Sequence, residues 1–211
     1  MVIRRIQPEH MPQTGQRQAN EVPDWTDFEL LNALAAQDPR AGLALYDRLI
    51  RIVEWTISRV MGQRGSDHED LVQSAFEQIV DSLHRRRYAR DCSLTSWASA
   101  ISCHIALNAL RSRRRQRLLG EKTHSELPPA RADLENQLAA RQALERIRGE
   151  LSRMNQARAE VLVLHEVNGL ELTEIAQVLG ISLAAAQSRL SRGRRELLQR
   201  LELPNLQGEA S

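Results

Sequence analysis

The sequence predicts an all-α protein: two small helical domains joined by a flexible linker. Three observations lead to this fold class. Apolar residues recur at helical steps in each patterned stretch, and no stretch alternates with the period of a strand. Helix-start signals precede several of these stretches. Between Leu119 and Ala132 the pattern collapses into GEKTHSELPPARA, where Gly120, Pro128 and Pro129 mark a linker. The expected organisation is a mobile tail over 1–24, a first domain over 25–118, the linker over 119–132, a second domain over 133–203 and a short tail over 204–211.

The tail is read from Pro8, Pro12, Gly15 and Pro23 among polar residues without a period. Thr26 and Glu29 have capping-box spacing and open a helix through about Gln37, which Asp38-Pro39 breaks. A longer amphipathic helix follows from about Arg40 to Met61, apolar on Leu45, Leu49, Ile52, Val53, Thr56 and Val60, and ended by Gly62 and Gly65. Ser66 and Glu69 make a second capping box. The helix after it, to about His84, turns Leu71, Val72, Ala75, Phe76, Ile79, Val80 and Leu83 inward. Ser93 is the N-cap of a long helix to Leu118, apolar on Trp97, Ile101, Ile105 and Leu110. Four more helices are expected beyond the linker: about Asp133–Leu151, Gln156–Val167, Leu172–Leu179 and Leu183–Leu201.

The 211 residues are 42% hydrophobic and 27% charged, the composition of an ordinary soluble protein. No apolar run is long enough to span a bilayer and no apolar signal segment follows the N-terminus, so a cytoplasmic location without membrane insertion is expected. Cys92 and Cys103 lack paired metal-ligand spacing, and reduced thiols are preferred over a metal site completed by His104 or His124. The net charge of +2 conceals a strong asymmetry. Residues 84–117 hold nine arginines against one acid, Asp91, whereas residues 66–81 hold five acids and no Lys or Arg. Neighbouring patches of opposite sign this dense indicate two partners, one of them polyanionic, rather than two solvated faces that neutralise each other.

The stretch ELTEIAQVLGISLAAAQSRLSRGRR (Glu171–Arg195) reads as a helix-turn-helix. Ala176 lies where two helices approach closely, Gly180 makes the turn and Ser182 caps the next helix. Leu183, Ala186, Leu190, Leu197 and Leu201 share one face of that helix. Ala184, Ala185, Ser188, Arg192 and Arg195 lie opposite, with Gln187 and Arg189 on the flanks. Small residues permit close approach to a groove, and arginines hold phosphates or base edges. These features point to DNA binding.

The order of these features resembles the extracytoplasmic-function (group 4) sigma factors of bacterial RNA polymerase, members of the sigma-70 family. The resemblance is carried by DHEDLVQSAFEQI (Asp67–Ile79), by SLTSWASAISCHIALNALRSRRR (Ser93–Arg115), and by Leu151–Leu201 with its Gly169-Leu170, EIAQVLGIS and QSRLSRGRREL. It implies a sigma-2 helical bundle and a sigma-4 helix-turn-helix. It further implies a transcription initiation factor that binds core RNA polymerase and promoter DNA, promotes melting, and is controlled by an anti-sigma factor.

Carried over residue by residue, the resemblance assigns core-polymerase binding to Asp70, Leu71 and Gln73, with Glu69 and Glu77 nearby; Leu71 reads equally well as sigma-2 core. It assigns −10 DNA to the loop Tyr88–Ser93 and the helix from about Ile101 to Arg115, where Arg87, Tyr88, Arg90, His104, Asn108, Arg111, Arg113, Arg114 and Arg115 are the candidates. Tyr88 would offer a stacking surface to an unstacked base. Trp97 could wedge the duplex, but its place on the apolar stripe favours core packing. The −35 element falls to Ala184, Ala185, Gln187, Ser188, Arg189, Arg192 and Arg195, while Arg194 lies nearer the buried face. The chain departs from the family pattern at His104, where Asn is usual, at Asn108 for Asp, Ser74 for an acid, Ala186 for Val and Gln187 for Lys or Arg. No cofactor, metal or small-molecule substrate is expected. A self-sufficient helix-turn-helix regulator is the rival, and the acidic helix beside an arginine-rich one argues against it. No catalytic constellation points to an enzyme.

Overall fold

The computed structural model describes residues 24–62, 67–120 and 134–202. All regular structure among them is α-helical, in eight helices. The expected Ser66 cap, most of the linker and most of both tails lie outside the described residues. The chain divides between Arg48 and Leu49 into two compact units, so the division falls inside a helix.

In the first unit, α1 (Asp27–Ala35) opens on the expected capping box. The Glu29 N–H donates to Thr26 Oγ1 at 3.3 Å, and Glu29 Oε2 accepts from the Thr26 N–H at 2.8 Å. This bonding holds the Glu29 carboxyl below its ordinary pKa. The helix stops two residues earlier than expected, because Gln37 takes the left-handed conformation (φ 58°). Asp38 then accepts from both the backbone and the guanidinium of Arg40, which holds its carboxyl down at about 2. Leu30 and Leu31 are buried, and Arg48 reaches back to Asp27 at 2.7 Å and to the Trp25 carbonyl.

Helix α2 (Ala41–Met61) contributes Leu49, Val53, Thr56, Ile57 and Val60 as buried residues of the second unit. Ile57 takes the inward position in place of Ile52, which is only half-buried. Gly62 ends the helix with φ 97°, a conformation that strains any residue with a Cβ.

Helix α3 (His68–His84) buries His68, Ala75, Ile79 and Ser82, a stripe advancing by helical steps. Val80 was expected inward but is 39% exposed, because it sits one residue and about 100° off that stripe. Leu71, Val72, Phe76 and Leu83 are half-buried. Helix α4 (Leu94–Leu118) runs over the expected span. Ser93 caps it by accepting the Ser96 N–H at 3.0 Å.

α4 packs against α3, α5 (Leu134–Leu151), α6 (Gln156–Glu166) and α7 (Leu172–Val178). It therefore buries far more than one stripe: Leu94, Ala98, Ile101, Cys103, Ala106, Leu107 and Leu110 are all inside. Its buried Ser99 and Ser102 hydroxyls donate to the carbonyls of Thr95 and Ala98, both at 2.8 Å, so the small polar residues satisfy themselves. Trp97 and Ile105, read as core, are half-buried.

α6 packs against α7 and α8 (Leu183–Glu202). The α6–α8 crossing is close because Gly193 is buried there; a Cβ on it would stand 3.2 Å from the Arg158 carbonyl. Gly180 (φ 62°) makes the expected turn, and Ser182 accepts the Ala185 N–H at 3.1 Å as its cap. On α8, Ala186 and Leu190 are buried, and Leu197 and Leu201 are half-buried. Leu183, expected on that face, is 42% exposed; as the first residue of α8 it lies at the end of the buried stripe.

Candidate nucleic-acid and polymerase interfaces

The acidic surface comes first along the chain. Glu69, Asp70, Gln73 and Glu77 are all exposed on α3, and Gln73 donates to Glu77 at 2.8 Å. Steps of four residues bring Glu69, Gln73 and Glu77 onto one face. Leu71 is half-buried, so it belongs partly to the helix packing and partly to this surface. Asp67 points elsewhere: its carboxylate pairs with Arg113 of α4, which takes that arginine out of the open cationic face.

The loop between α3 and α4 begins as a cationic ribbon. Arg86 and Arg90 both have positive φ (54° and 65°), a costly conformation for residues with long side chains. Arg87 and Arg90 are exposed. Tyr88 is not the open stacking surface that was expected. It is 9% exposed, its ring lies 4.9 Å from the Trp97 ring at 40°, and its hydroxyl donates to the Cys92 carbonyl. An aromatic pair in a tilted arrangement with a satisfied hydroxyl braces the loop against α4. Trp97 is accordingly a packing partner, as its stripe position suggested.

Along α4, His104, Asn108 and Arg115 are exposed and Arg111, Arg113 and Arg114 are half-buried. Two of these residues have partners from the second half of the chain. His104 Nδ1 lies 2.7 Å from Glu160 Oε1 on α6, and Gln156 donates to the same carboxylate oxygen at 2.6 Å. Arg111 Nη2 donates to the Met154 carbonyl at 3.2 Å, while its Nη1 is buried without a partner. Burial pulls the Arg111 guanidinium below its ordinary pKa. Cys103, one residue before His104, is fully buried; its thiol is pushed up first by burial and then by the nearby Glu160 charge, so it is an inert thiol. No cluster of three or more potential metal-ligating side chains occurs among the described residues.

On α8, Ala184, Gln187, Arg192 and Arg195 are exposed, and Ala185, Ser188 and Arg189 are half-buried. Ala184, Ala185, Ser188, Arg192 and Arg195 fall on the side away from buried Ala186, Leu190 and Gly193, with Gln187 and Arg189 on its flanks. Arg194 is not near the buried face. It is exposed and ion-paired with Glu166 of α6 at 2.5 Å. Sequence reasoning missed Gln156, Glu160 and Glu174, whose partners lie 52 to 78 residues away. No periodic signal reports contacts at such separation.

Two family models match this chain. Sigma-70 region 2 matches residues 45–116 and sigma-70 region 4 matches residues 144–197. The RNA polymerase sigma factor CarQ of Myxococcus xanthus is 31% identical over 146 residues, 68% of this chain and 81% of that protein. The sigma factor CnrH of Cupriavidus metallidurans is 30% identical over 147 residues, 66% of this chain and 76% of that protein. In structure, CnrH in complex with the cytosolic domain of CnrY is similar at a TM-score of 0.53 and 25% identity, covering 83% of this chain and 97% of that one. Two regional matches in the order of the acidic, arginine-rich and helix-turn-helix segments place this chain in the sigma-70 family of RNA polymerase sigma factors.

Proposed function

We propose that this chain is an extracytoplasmic-function, group 4 sigma factor: it docks on core RNA polymerase, reads a −35 and a −10 element and promotes melting of the −10 region. The single observation that carries this reading is that one chain combines an exposed acidic face on α3, an arginine-rich α4 and a helix-turn-helix with an arginine-bearing outer face.

Each surface has a job suited to its chemistry. The carboxylates and amide of Glu69, Asp70, Gln73 and Glu77 suit a basic protein surface, with Leu71 adding apolar contact at the margin. Arg87, Arg90, Arg114 and Arg115 suit the backbone of a separated strand, and His104 and Asn108 can hydrogen-bond base edges. Gln187, Ser188 and Arg192 suit base edges in the major groove, Arg189 and Arg195 suit flanking phosphates, and Ala184 and Ala185 permit close approach. Each DNA surface alone makes few contacts, and polymerase adds them by holding both at a fixed spacing. CnrH is solved with a protein domain bound to it, and control by an anti-sigma factor is carried over to this chain on that basis.

The test is run-off transcription and gel shift from a genomic fragment library with and without purified core polymerase. Promoter-specific complexes that require core polymerase are the expected result. Tight binding to a palindromic site by the chain alone would replace this reading with that of an autonomous regulator.

A further inference from the structure

We infer that the cleft where the end of α4 meets α5 and α8 is a binding site for a small phosphate anion. It takes a pyrophosphate group, either free or as the head of a nucleoside polyphosphate. The inference does not rest on the DNA-binding or polymerase-binding assignments.

The cleft has a volume of about 290 Å³ and is lined by Arg117, Arg146, Arg153 and Arg200 together with Glu145 and Glu150. Four guanidinium groups against two carboxylates leave a surplus of positive charge, and both carboxylates are already engaged. Glu150, whose side chain is only 13% exposed, lies 2.5 Å from Arg153 and 3.9 Å from Arg200. Glu145 pairs at 2.9 Å with Arg148, which is not part of the lining. Arg146 and Arg117 carry the surplus. Arg146 Nη2 donates to the Leu201 carbonyl at 2.9 Å in the last turn of α8, a neutral acceptor that orients the guanidinium and leaves its charge uncompensated. Arg117 is exposed in the last turn of α4 and pairs with no carboxylate among the described residues.

Gly149 is an independent sign of a ligand. It lines the same cleft in the last turn of α5, where glycine weakens a helix relative to alanine. No neighbour demands it, because a Cβ there would meet nothing within 4 Å. The missing side chain instead keeps the cleft open. Chemistry then selects what enters. A guanidinium offers parallel N–H donors to phosphate oxygens, and several converging ones favour an anion of more than one charge. Small-molecule sites span about 300–1,000 Å³, so a cleft at the lower end suits a diphosphate group and leaves an attached nucleoside outside its mouth.

The test is isothermal titration calorimetry of the full chain with inorganic pyrophosphate at low salt, in wild type, Arg146→Gln, Gly149→Leu and Arg51→Gln. Arg51 is exposed on α2 and controls for the loss of one charge. Far-UV circular dichroism verifies wild-type helicity, and Gly149→Ala replaces the leucine variant if that one loses helix. One pyrophosphate per chain is expected, bound about ten-fold more weakly by Arg146→Gln and Gly149→Leu and changed less than about two-fold in Arg51→Gln. Absent binding, or binding that both cleft variants retain, would overturn the site. Equal weakening in Arg51→Gln would overturn it too, by reducing the attraction to overall charge. Adenosine diphosphate that binds at least as tightly as pyrophosphate identifies a nucleotide head group, weaker binding identifies the free anion, and both support the site. Displacement of pyrophosphate by a mixed-sequence DNA duplex whose own affinity falls in the same cleft variants would reassign the cleft to the DNA backbone and overturn the small-anion reading. No polymerase or promoter enters the calorimetry, so this site and the promoter function can fail separately.

Discussion

Arg158 joins α6 to α8 twice: its Nη1 lies 2.8 Å from Glu196 Oε2, and its carbonyl stands 3.2 Å from the place of a Cβ on Gly193. Glycine lets the two helices approach until the ion pair closes, and the ion pair in turn sits beside the crossing that shapes the helix-turn-helix. The outer arginines of α8 are aimed by this crossing, because a helix fixed on one face presents the other.

Gly193→Val is therefore expected to lower stability by about 1–3 kcal/mol, since the added methyls meet a helix carbonyl that has little room to move. Gly193→Ala gains about 1 kcal/mol of helix propensity, which offsets most of its smaller clash. Urea denaturation of both variants checks the pair. Equal stability of the Val variant and wild type would contradict the close crossing.

Glu196 gives a pH signature. Burial pushes its carboxyl up, but hydrogen bonds from Arg158 and Arg200 and their charges more than offset this, so its pKa in the folded protein lies below the ordinary value. A lowered folded pKa means a stabilisation that is present above the unfolded carboxylate pKa and lost as pH falls through the folded one. The stability difference between wild type and Glu196→Gln should be largest near neutral pH and shrink below about pH 4. Urea midpoints measured across that range provide the check; a gap that widens in acid would reverse the sign.

Arg192 and Arg194 are neighbours with different prospects. Arg192 is exposed on the outer face, whereas Arg194 is tied to Glu166. Arg192→Ala should cost about 1–3 kcal/mol of −35 discrimination, roughly five- to 150-fold, in polymerase-dependent binding to matched and mutated promoters. Arg194→Ala should leave discrimination within two-fold. The reverse ranking would mean that α8 presents a different face to DNA.

Asp70→Ala should weaken association with core polymerase by about 1 kcal/mol, roughly five-fold, mainly through a slower and less salt-sensitive on-rate. Surface plasmon resonance at two salt concentrations reads both quantities. Unchanged kinetics would remove Asp70 from the docking surface.

The helices themselves were legible because their signals are local. Thr26 with Glu29, Ser93 and Ser182 cap helices where their side chains reach their own backbone, and Gly180 turns where a positive φ is needed. Burial was less legible. The periodic stripe of α4 named Trp97, Ile101, Ile105 and Leu110, yet a helix with neighbours on several sides also buries small residues such as Ser99, Ser102, Cys103 and Ala106. Small residues carry a weak hydrophobic signal, so their burial emerges only when the neighbours are known. Tyr88 illustrates the same limit. An aromatic residue in a basic loop reads as a stacking platform until Trp97, nine residues on, is found against its ring.

Sequence by itself determined the helical fold class, most element boundaries, the acidic and basic faces and the outer face of the recognition helix, since all of these follow from spacing within a single helix or turn. Tertiary structure alone decided that Arg113 is neutralised by Asp67, that Arg194 is held by Glu166, and that His104 and Arg111 face α6 and the Met154 carbonyl. The physical reason is range. Backbone hydrogen bonds and amphipathic periods act over a few residues, whereas a charge chooses its partner by distance in space, which no local pattern encodes.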